Sequence, residues 1–269
     1  ALEALARADT VVLDKTGTLT RGKPTLVRVL PFGLSQEEAL RLAAALERGS
    51  EHPLAKAVLE AAESLPQAQA EEVRALPGEG VEGRVEGRRL HLGGPALMER
   101  LGVPLPEEAK ALPEEGYTPL YLVEGTRLLA AFAVFDPPRP EAQEAVAALK
   151  ALGLKLVLLT GDHPAPARRV AEALGIPEVL AGVRPEGKVE AIRRLQAEGR
   201  KVVFVGDGIN DAAALAQADV GLAMGSGTDI ALEAGDVVLL TPDLRGVVNA
   251  VRLARRTLRT IYLNFFWAY

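Results

Sequence analysis

The hydrophobic pattern changes character along the chain. From about residue 136 onward, solid apolar runs of strand length alternate with stretches of helical periodicity. The runs "LKLVLLT" (154–160) and "KVVFVGD" (201–207) both terminate at Thr, Gly or Asp. Around them lie "RPEAQEAVAALKAL" (139–152), "APARRVAEAL" (165–174) and "RPEGKVEAIRRLQAEG" (184–199), which predict helices. Strands alternating with helices of this length indicate βαβ units and a parallel sheet, whose ligands bind beyond the carboxyl ends of the strands. Residues 10–16, within "TVVLDKTGTLT" (10–20), predict one more strand of that sheet with Asp14 at its C-terminal edge.

Residues 22 to about 132 read differently. Two helices are expected first, over 35–49 and 52–65, with Ser35 and Glu38 spaced as a capping box. Short strand-like segments joined by glycine turns follow, over 73–94 and 117–135. Such a series predicts an antiparallel α+β unit. The chain therefore reads as an α/β domain (1–21 with 133–269) that is interrupted after its first strand by a separate domain (22–132). It returns through "FDPPRPEA" (135–142), which Pro137, Pro138 and Pro140 stiffen.

Composition narrows the chemistry. With 269 residues, 48% of them hydrophobic, the chain can bury two cores. It has no cysteine, which removes disulfides, thiolate metal sites and thiol nucleophiles. A net charge of −5 and a pI near 5.5 argue against a nucleic-acid partner. Glu3 and Arg7 interrupt the first apolar stretch, so no signal peptide is expected, and no run of 18 apolar residues spans a bilayer. The ending "IYLNFFWAY" follows the basic "RLARRTLRT" and has two readings. One is an amphipathic helix docked on the domain. The sharper one takes residues 258–269 as the start of a membrane helix, with Arg252, Arg255, Arg256 and Arg259 on the cytoplasmic side.

Candidate chemistry gathers at the predicted strand ends. There stand Asp14 and Thr16, then Thr160-Gly161-Asp162, then Lys188 near a helix start, then Asp207, Asn210 and Asp211. A lone Asp after a strand is usually a turn former, and a lone Lys on a helix is usually solvated. Four such groups at the ends of one sheet converge instead. They suit phosphoryl transfer, with Asp14 as nucleophile forming an aspartyl phosphate. Asp14, Asp207 and Asp211, together with the Thr16 carbonyl, make an oxygen-rich site suited to Mg2+. Thr160 and the neighbouring glycine amide would bond phosphoryl oxygens, and Lys188 would offset their charge. Phosphatases built on an Asp nucleophile need a second acid two residues later. Threonine at 16 cannot serve as one, so a phosphorylated Asp14 is expected to persist.

The stretches "DKTGTLT" (14–20), "TGD" (160–162), "SEHPLAKAV" (50–58) and "GDGINDAAALAQADVGLAMGSGTDIALEAGDVVLL" (206–240) closely resemble the heavy-metal-transporting branch of the P-type ATPases, over nearly the whole chain. The resemblance implies a haloacid-dehalogenase-like, Rossmann-like phosphorylation domain with an inserted nucleotide-binding domain, ATP as substrate and Mg2+ as cofactor. It makes Asp14 the phosphorylated aspartate and Asp207 with Asp211 the magnesium carboxylates. Thr160, Gly161, Asp162, Lys188 and Asn210 fall at the family's phosphate site. In the inserted domain, Glu47 and His52 fall at nucleotide contacts, and Gly78, Gly80 and Val81 in its glycine-rich loop. Gly93 matches the first residue of a Gly-Asn pair whose Asn is replaced by Gly94. His52, preceding proline at a helix start, also reads simply as a cap.

The resemblance further implies that the actuator domain, the transmembrane helices and the transported ion's ligands lie outside this stretch, at the cytoplasmic face of a membrane. It implies interdomain motion during the cycle and a monomeric fragment. The ending "NFFWAY" (264–269) is similar to Cu(I)-exporting members more than to Zn2+/Cd2+ ones. Two rivals from other classes are a stand-alone phosphatase, which Thr16 opposes, and a binding-only nucleotide sensor, which the presence of Asp14, Lys188 and Asp207 opposes.

Overall fold

The computed structural model describes residues 2–208, 210–224, 237–241 and 243–268, with side chains omitted for 237–241 and 265–268. Residues 209 and 225–236 of the long C-terminal motif, and the side chains of the aromatic ending from 265, lie outside the described residues.

The chain divides into two compact units, 1–22 with 138–269, and 23–137. The first begins with helix α1 (Leu2–Arg7), strand β1 (Thr10–Asp14) and a turn over Lys15–Leu19. Val11, Val12 and Leu13 are fully buried, and β1 runs parallel between two strands on either side, so a solid apolar run fits it. The strand stops at Asp14, two residues short of the expected limit. There Thr16 (φ −74°, ψ 124°) and Gly17 (φ 80°, ψ −5°) take up type II turn angles. The glycine is needed because the second central position of that turn has positive φ.

The second unit follows with β2 (Thr25–Pro31), α2 (Gln36–Glu47), α3 (Pro53–Ala61), β3 (Ala70–Leu76), β4 (Gly80–Val85), β5 (Arg88–Gly93), α4 (Pro95–Leu101), α5 (Glu107–Lys110), β6 (Thr118–Glu124) and β7 (Arg127–Phe135). Its sheet is antiparallel in the order β2-β7-β6-β5-β4-β3. On one face, Leu42, Leu46 and Val58 of α2 and α3 pack with Leu90, Leu92, Leu122 and Phe132. Leu97 and Met98 of α4 join Leu112, Tyr121 and Val123 in a second cluster, where the buried Tyr121 hydroxyl donates to the Ala109 carbonyl at 2.8 Å. Strand β2 escaped the sequence pattern because it is a half-exposed edge strand, interrupted by Arg28 and ended by Pro31. Only half of the expected capping box forms. Ser35 Oγ accepts from the Glu38 amide at 3.0 Å, but the Glu38 carboxylate turns to Arg41 at 2.9 Å. Because β7 stays paired with β2 and β6 as far as Phe135, the units part at 137/138 rather than at 132/133.

The first unit resumes with α6 (Ala142–Ala151), β8 (Lys155–Leu159), α7 (Pro164–Leu174), β9 (Glu178–Leu180), α8 (Gly187–Ala197), β10 (Val202–Asp207), α9 (Ala212–Gln217), β11 (Val220–Met224), β12 (Val237–Thr241) and α10 (Leu244–Ala268). Its sheet is parallel, in the order β12-β11-β10-β1-β8-β9. Strand β1 sits near the middle, which brings its C-terminal end beside those of β8 and β10. The C-terminal stretch is a single helix that packs along α1, with the Arg7 guanidinium bonded to the Tyr262 hydroxyl and Arg255 donating to the Leu152 carbonyl at 2.6 Å. Among the described residues no helix is long and apolar enough to cross a membrane.

Candidate active site

In the first unit a cavity of about 240 Å³ opens at the carboxyl edge of the parallel sheet. Asp14, Thr16, Thr160, Gly161, Asp162, Lys188, Asp207, Asn210 and Asp211 line it together. Each arrives from a different connection. Asp14 ends β1, Thr160 follows β8, Lys188 is the second residue of α8, and Asp207 ends β10. Helix α9 begins at Ala212, and Asp211 occupies the position before it. Its carboxylate caps nothing in the helix. It accepts instead from the Asp207 amide at 3.1 Å and from Lys188 Nζ at 2.9 Å. Gly206 makes room for this, since a Cβ there would lie 2.8 Å from Asp211 Oδ2 and 2.7 Å from the Phe204 ring.

Lys188 Nζ also lies 3.4 Å from Asp14 Oδ1, so one ammonium faces two buried carboxylates. Burial pushes the Asp14 carboxyl up to about 7, and the facing Asp211 carboxylate pushes the same way, while Lys188 opposes both. Burial also works against the charge of Lys188, but its bonds to Asp211 and Asp14 outweigh it and hold the ammonium above its ordinary value. Asn210 Nδ2 donates to Asp207 Oδ2 at 2.9 Å, and the Thr160 hydroxyl accepts from the Asp162 amide at 3.1 Å.

The hard oxygen donors of Asp14, Asp207 and the nearby Thr16 suit Mg2+. Among the described residues, however, no three acidic or histidine side chains close on one point; Asp211 bonds to Lys188 and the Asp207 amide, and Asp207 accepts from Asn210. Mutual repulsion of the Asp14 and Asp211 carboxylates is the feature a cation would relieve.

Two residues outside the sequence-based set belong to this architecture. Lys15 is buried and paired with the Asp162 carboxylate, tying the turn after β1 to the loop after β8. Its signal was a lysine placed directly after a buried strand, where desolvation demands a partner. Arg139 contacts the same turn from the returning segment.

The second unit holds a larger cavity of about 750 Å³, and Glu47, His52, Gly78, Gly80 and Val81 are among its lining residues. Burial pushes the Glu47 carboxyl up to about 7. His52 is the N-cap of α3, with Nδ1 accepting from the Leu54 amide at 3.2 Å. The cap engages Nδ1 and not Nε2, so a cap role does not by itself occupy the whole ring. Gly93 is not among the lining residues, although Gly94 is. Gly93 pairs with Gly80 across β4 and β5, and a Cβ on either would meet a backbone carbonyl oxygen at 2.1 Å. These two glycines bring the backbones at the cavity's edge together.

A family model described as haloacid dehalogenase-like hydrolase matches residues 8–219. The chain is a haloacid dehalogenase-like hydrolase. This hydrolase is similar over its whole length to "Copper-transporting ATPase 1" of Rhizobium meliloti, at 46% identity and covering 33% of that protein. It is likewise similar to "Copper-exporting P-type ATPase B" of Archaeoglobus fulgidus, at 42% identity over 39% of its length. The chain therefore spans about a third of the curated relatives it matches. Among solved structures, a zinc-transporting PIB-type ATPase in an E2.Pi state aligns with a TM-score of 0.87 at 42% identity, covering 98% of this chain and 44% of that one. A CPx-ATPase catalytic domain, CopB-B, aligns with a TM-score of 0.67 at 29% identity, covering 94% of this chain and 91% of that one.

Proposed function

We propose that this hydrolase is the ATP-binding and phosphorylation unit of a heavy-metal-translocating P-type ATPase, and that Asp14 receives the γ-phosphoryl group of ATP. One observation carries the reading: a carboxylate buried at the end of a central strand, faced by Lys188 and Thr160, with threonine rather than an acid two residues on. An Asp14 oxygen attacks the γ-phosphorus, the bond to the bridging oxygen breaks, and ADP leaves with the electron pair. Lys188 and the Thr160 hydroxyl lie where they would offset charge on the equatorial oxygens. Asp14, Asp207, Asp211 and the Thr16 carbonyl would hold Mg2+, which would supply charge neutralisation on the phosphates. Glu47, His52 and the turn around Gly78–Val81 would hold the nucleotide in the 750 Å³ cavity.

The transported ion is taken to be copper, because copper is the ion named in relatives that match the whole chain at 42–47% identity. A zinc-type ion is the second reading, favoured by the 42% identity to a zinc-transporting structure. The ion's ligands, the actuator domain and the membrane helices would belong to the remaining two-thirds of such a protein, with this unit on the cytoplasmic face.

The test is chemical. The full-length protein is incubated with γ-labelled ATP and Mg2+, quenched in acid, and assayed for protein-bound label that hydroxylamine releases. Asp14→Asn is expected to abolish that label. Label that survives Asp14→Asn would sink the proposal.

A further inference from the structure

The turn after Asp14 has carbonyl oxygens that are met in two ways. One of them, Lys15 O, accepts from the amide and hydroxyl of Thr20, at 3.0 and 3.3 Å. The carbonyls of Gly17, Thr18 and Leu19 are satisfied from elsewhere, by a single residue. Arg139 donates Nη2 to Gly17 O at 3.1 Å, Nε to Thr18 O at 2.9 Å, and its own backbone amide to Leu19 O at 2.7 Å. A bridge between Thr20 and Pro138 continues the same contact. Three successive carbonyls thus hang on one residue of the segment that returns from the inserted unit.

We propose that Arg139 is a positioning residue for phosphoryl transfer, holding the Lys15–Leu19 turn in the shape that presents Thr16 to the cavity and Lys15 to Asp162. The inference rests on the reading of Asp14 as phosphoryl acceptor. Arg139 does not line the cavity, so its part is played through the turn. The guanidinium is suited to this because its planar fork aims two donors at neighbouring acceptors at fixed spacing, which an ammonium cannot do. Two residues of the turn, Thr16 and Gly17, hold type II angles that no regular ladder enforces, so the carbonyl brace replaces the missing backbone pairing. Thr16 shares the cavity wall with Asp14, so a shift of the turn alters the surroundings of the attacking oxygen.

The experiment compares wild type, Arg139→Lys, Arg139→Ala and Asp14→Asn in the full-length protein, by rapid-quench labelling with γ-labelled ATP and Mg2+. For Arg139→Ala the phosphorylation rate at saturating ATP is expected to fall on the order of 10- to 100-fold, the loss typical of slight misplacement at a reacting centre. Half-saturation by ATP is expected to stay within about twofold, because nucleotide contacts lie in the other unit. Arg139→Lys is expected to fall between, keeping one of the two side-chain bonds. If Arg139→Ala does not fold, Arg139→Gln, which keeps a donor for Thr18 O, replaces it. An Arg139→Ala protein that phosphorylates at the wild-type rate overturns this inference alone. So does one whose rate and ATP half-saturation shift together with no gain from lysine, which marks a merely structural role. A wild type that takes no label overturns the acceptor reading and this inference with it.

Discussion

The Lys188 ammonium donates to Asp211 Oδ1 at 2.9 Å, and both side chains are largely withdrawn from solvent. The same ammonium faces Asp14, so it sits between two buried carboxylates and opposes the burial and the Asp211 charge that favour protonation of Asp14. Replacing Lys188 with Met is therefore expected to destabilise the first unit by about 3–5 kcal/mol, the usual cost of stranding a buried charge. The loss has a sign in pH. Without the lysine, the folded-state pKa of Asp14 rises further above the unfolded 3.8, so stability is lost as pH rises through it. Thermal melts in EDTA are expected to show a larger deficit at pH 8 than at pH 5. An equal deficit at both would mean the ammonium is not compensating these carboxylates.

Glu47 offers a second titration, in the other unit. Its folded carboxyl is raised by burial from 4.5 to about 7, so the folded state binds the proton more tightly than the unfolded chain does. Stability from this group is fully present below pH 4.5 and is lost as pH climbs through 7. Glu47→Gln is expected to remove that slope and to gain roughly 1–2 kcal/mol above pH 7 after discounting for partial exposure. Denaturant melts from pH 4 to pH 8 check it. ATP affinity should fall in the same variant if the carboxylate holds the base.

His52 can be divided by substitution. Asn at a helix N-cap preserves the bond to the Leu54 amide, whereas Ala loses it at about 1 kcal/mol. Stability is expected to follow the cap, with His52→Asn near wild type and His52→Ala lowered. ATP affinity, measured by calorimetry, is expected to drop in both because both lack the imidazole. Unchanged affinity in His52→Asn would leave the residue a cap and nothing more.

Thr16→Asp places an acid where phosphatases of this chemistry keep one. The label on Asp14 is then expected to decay about 10²-fold or more faster, since general acid/base help contributes on that scale. A pulse–chase with unlabelled ATP measures the lifetime. No shortening would remove Thr16 as the reason for a persistent intermediate.

Much of this arrangement was legible from residues alone. An apolar run ended by Asp14, repeated at Thr160 and Asp207, is a local signal, because buried parallel strands tolerate only apolar side chains until they leave the sheet. The division into two units was legible as a change of period. What was not legible is pairing. Edge strands such as β2 and β9 are short or half-exposed, so their pattern is weak, and only their neighbours make them strands. Lys15 gave no hint of Asp162, 147 residues away, nor Arg139 of the carbonyls at 17 and 18.

The order of residues along this chain was thus enough to specify which polar side chains stand at which strand ends, since hydrophobic period and turn chemistry act over a few neighbours. Whether Lys188 serves one carboxylate or two, whether Asp211 caps a helix or binds an amide, and whether Gly93 lines a cavity or lets two strands meet were decided by tertiary packing. Those outcomes depend on desolvation and on atom-to-atom distances between segments far apart in the chain, and neither quantity exists until the sheets have formed.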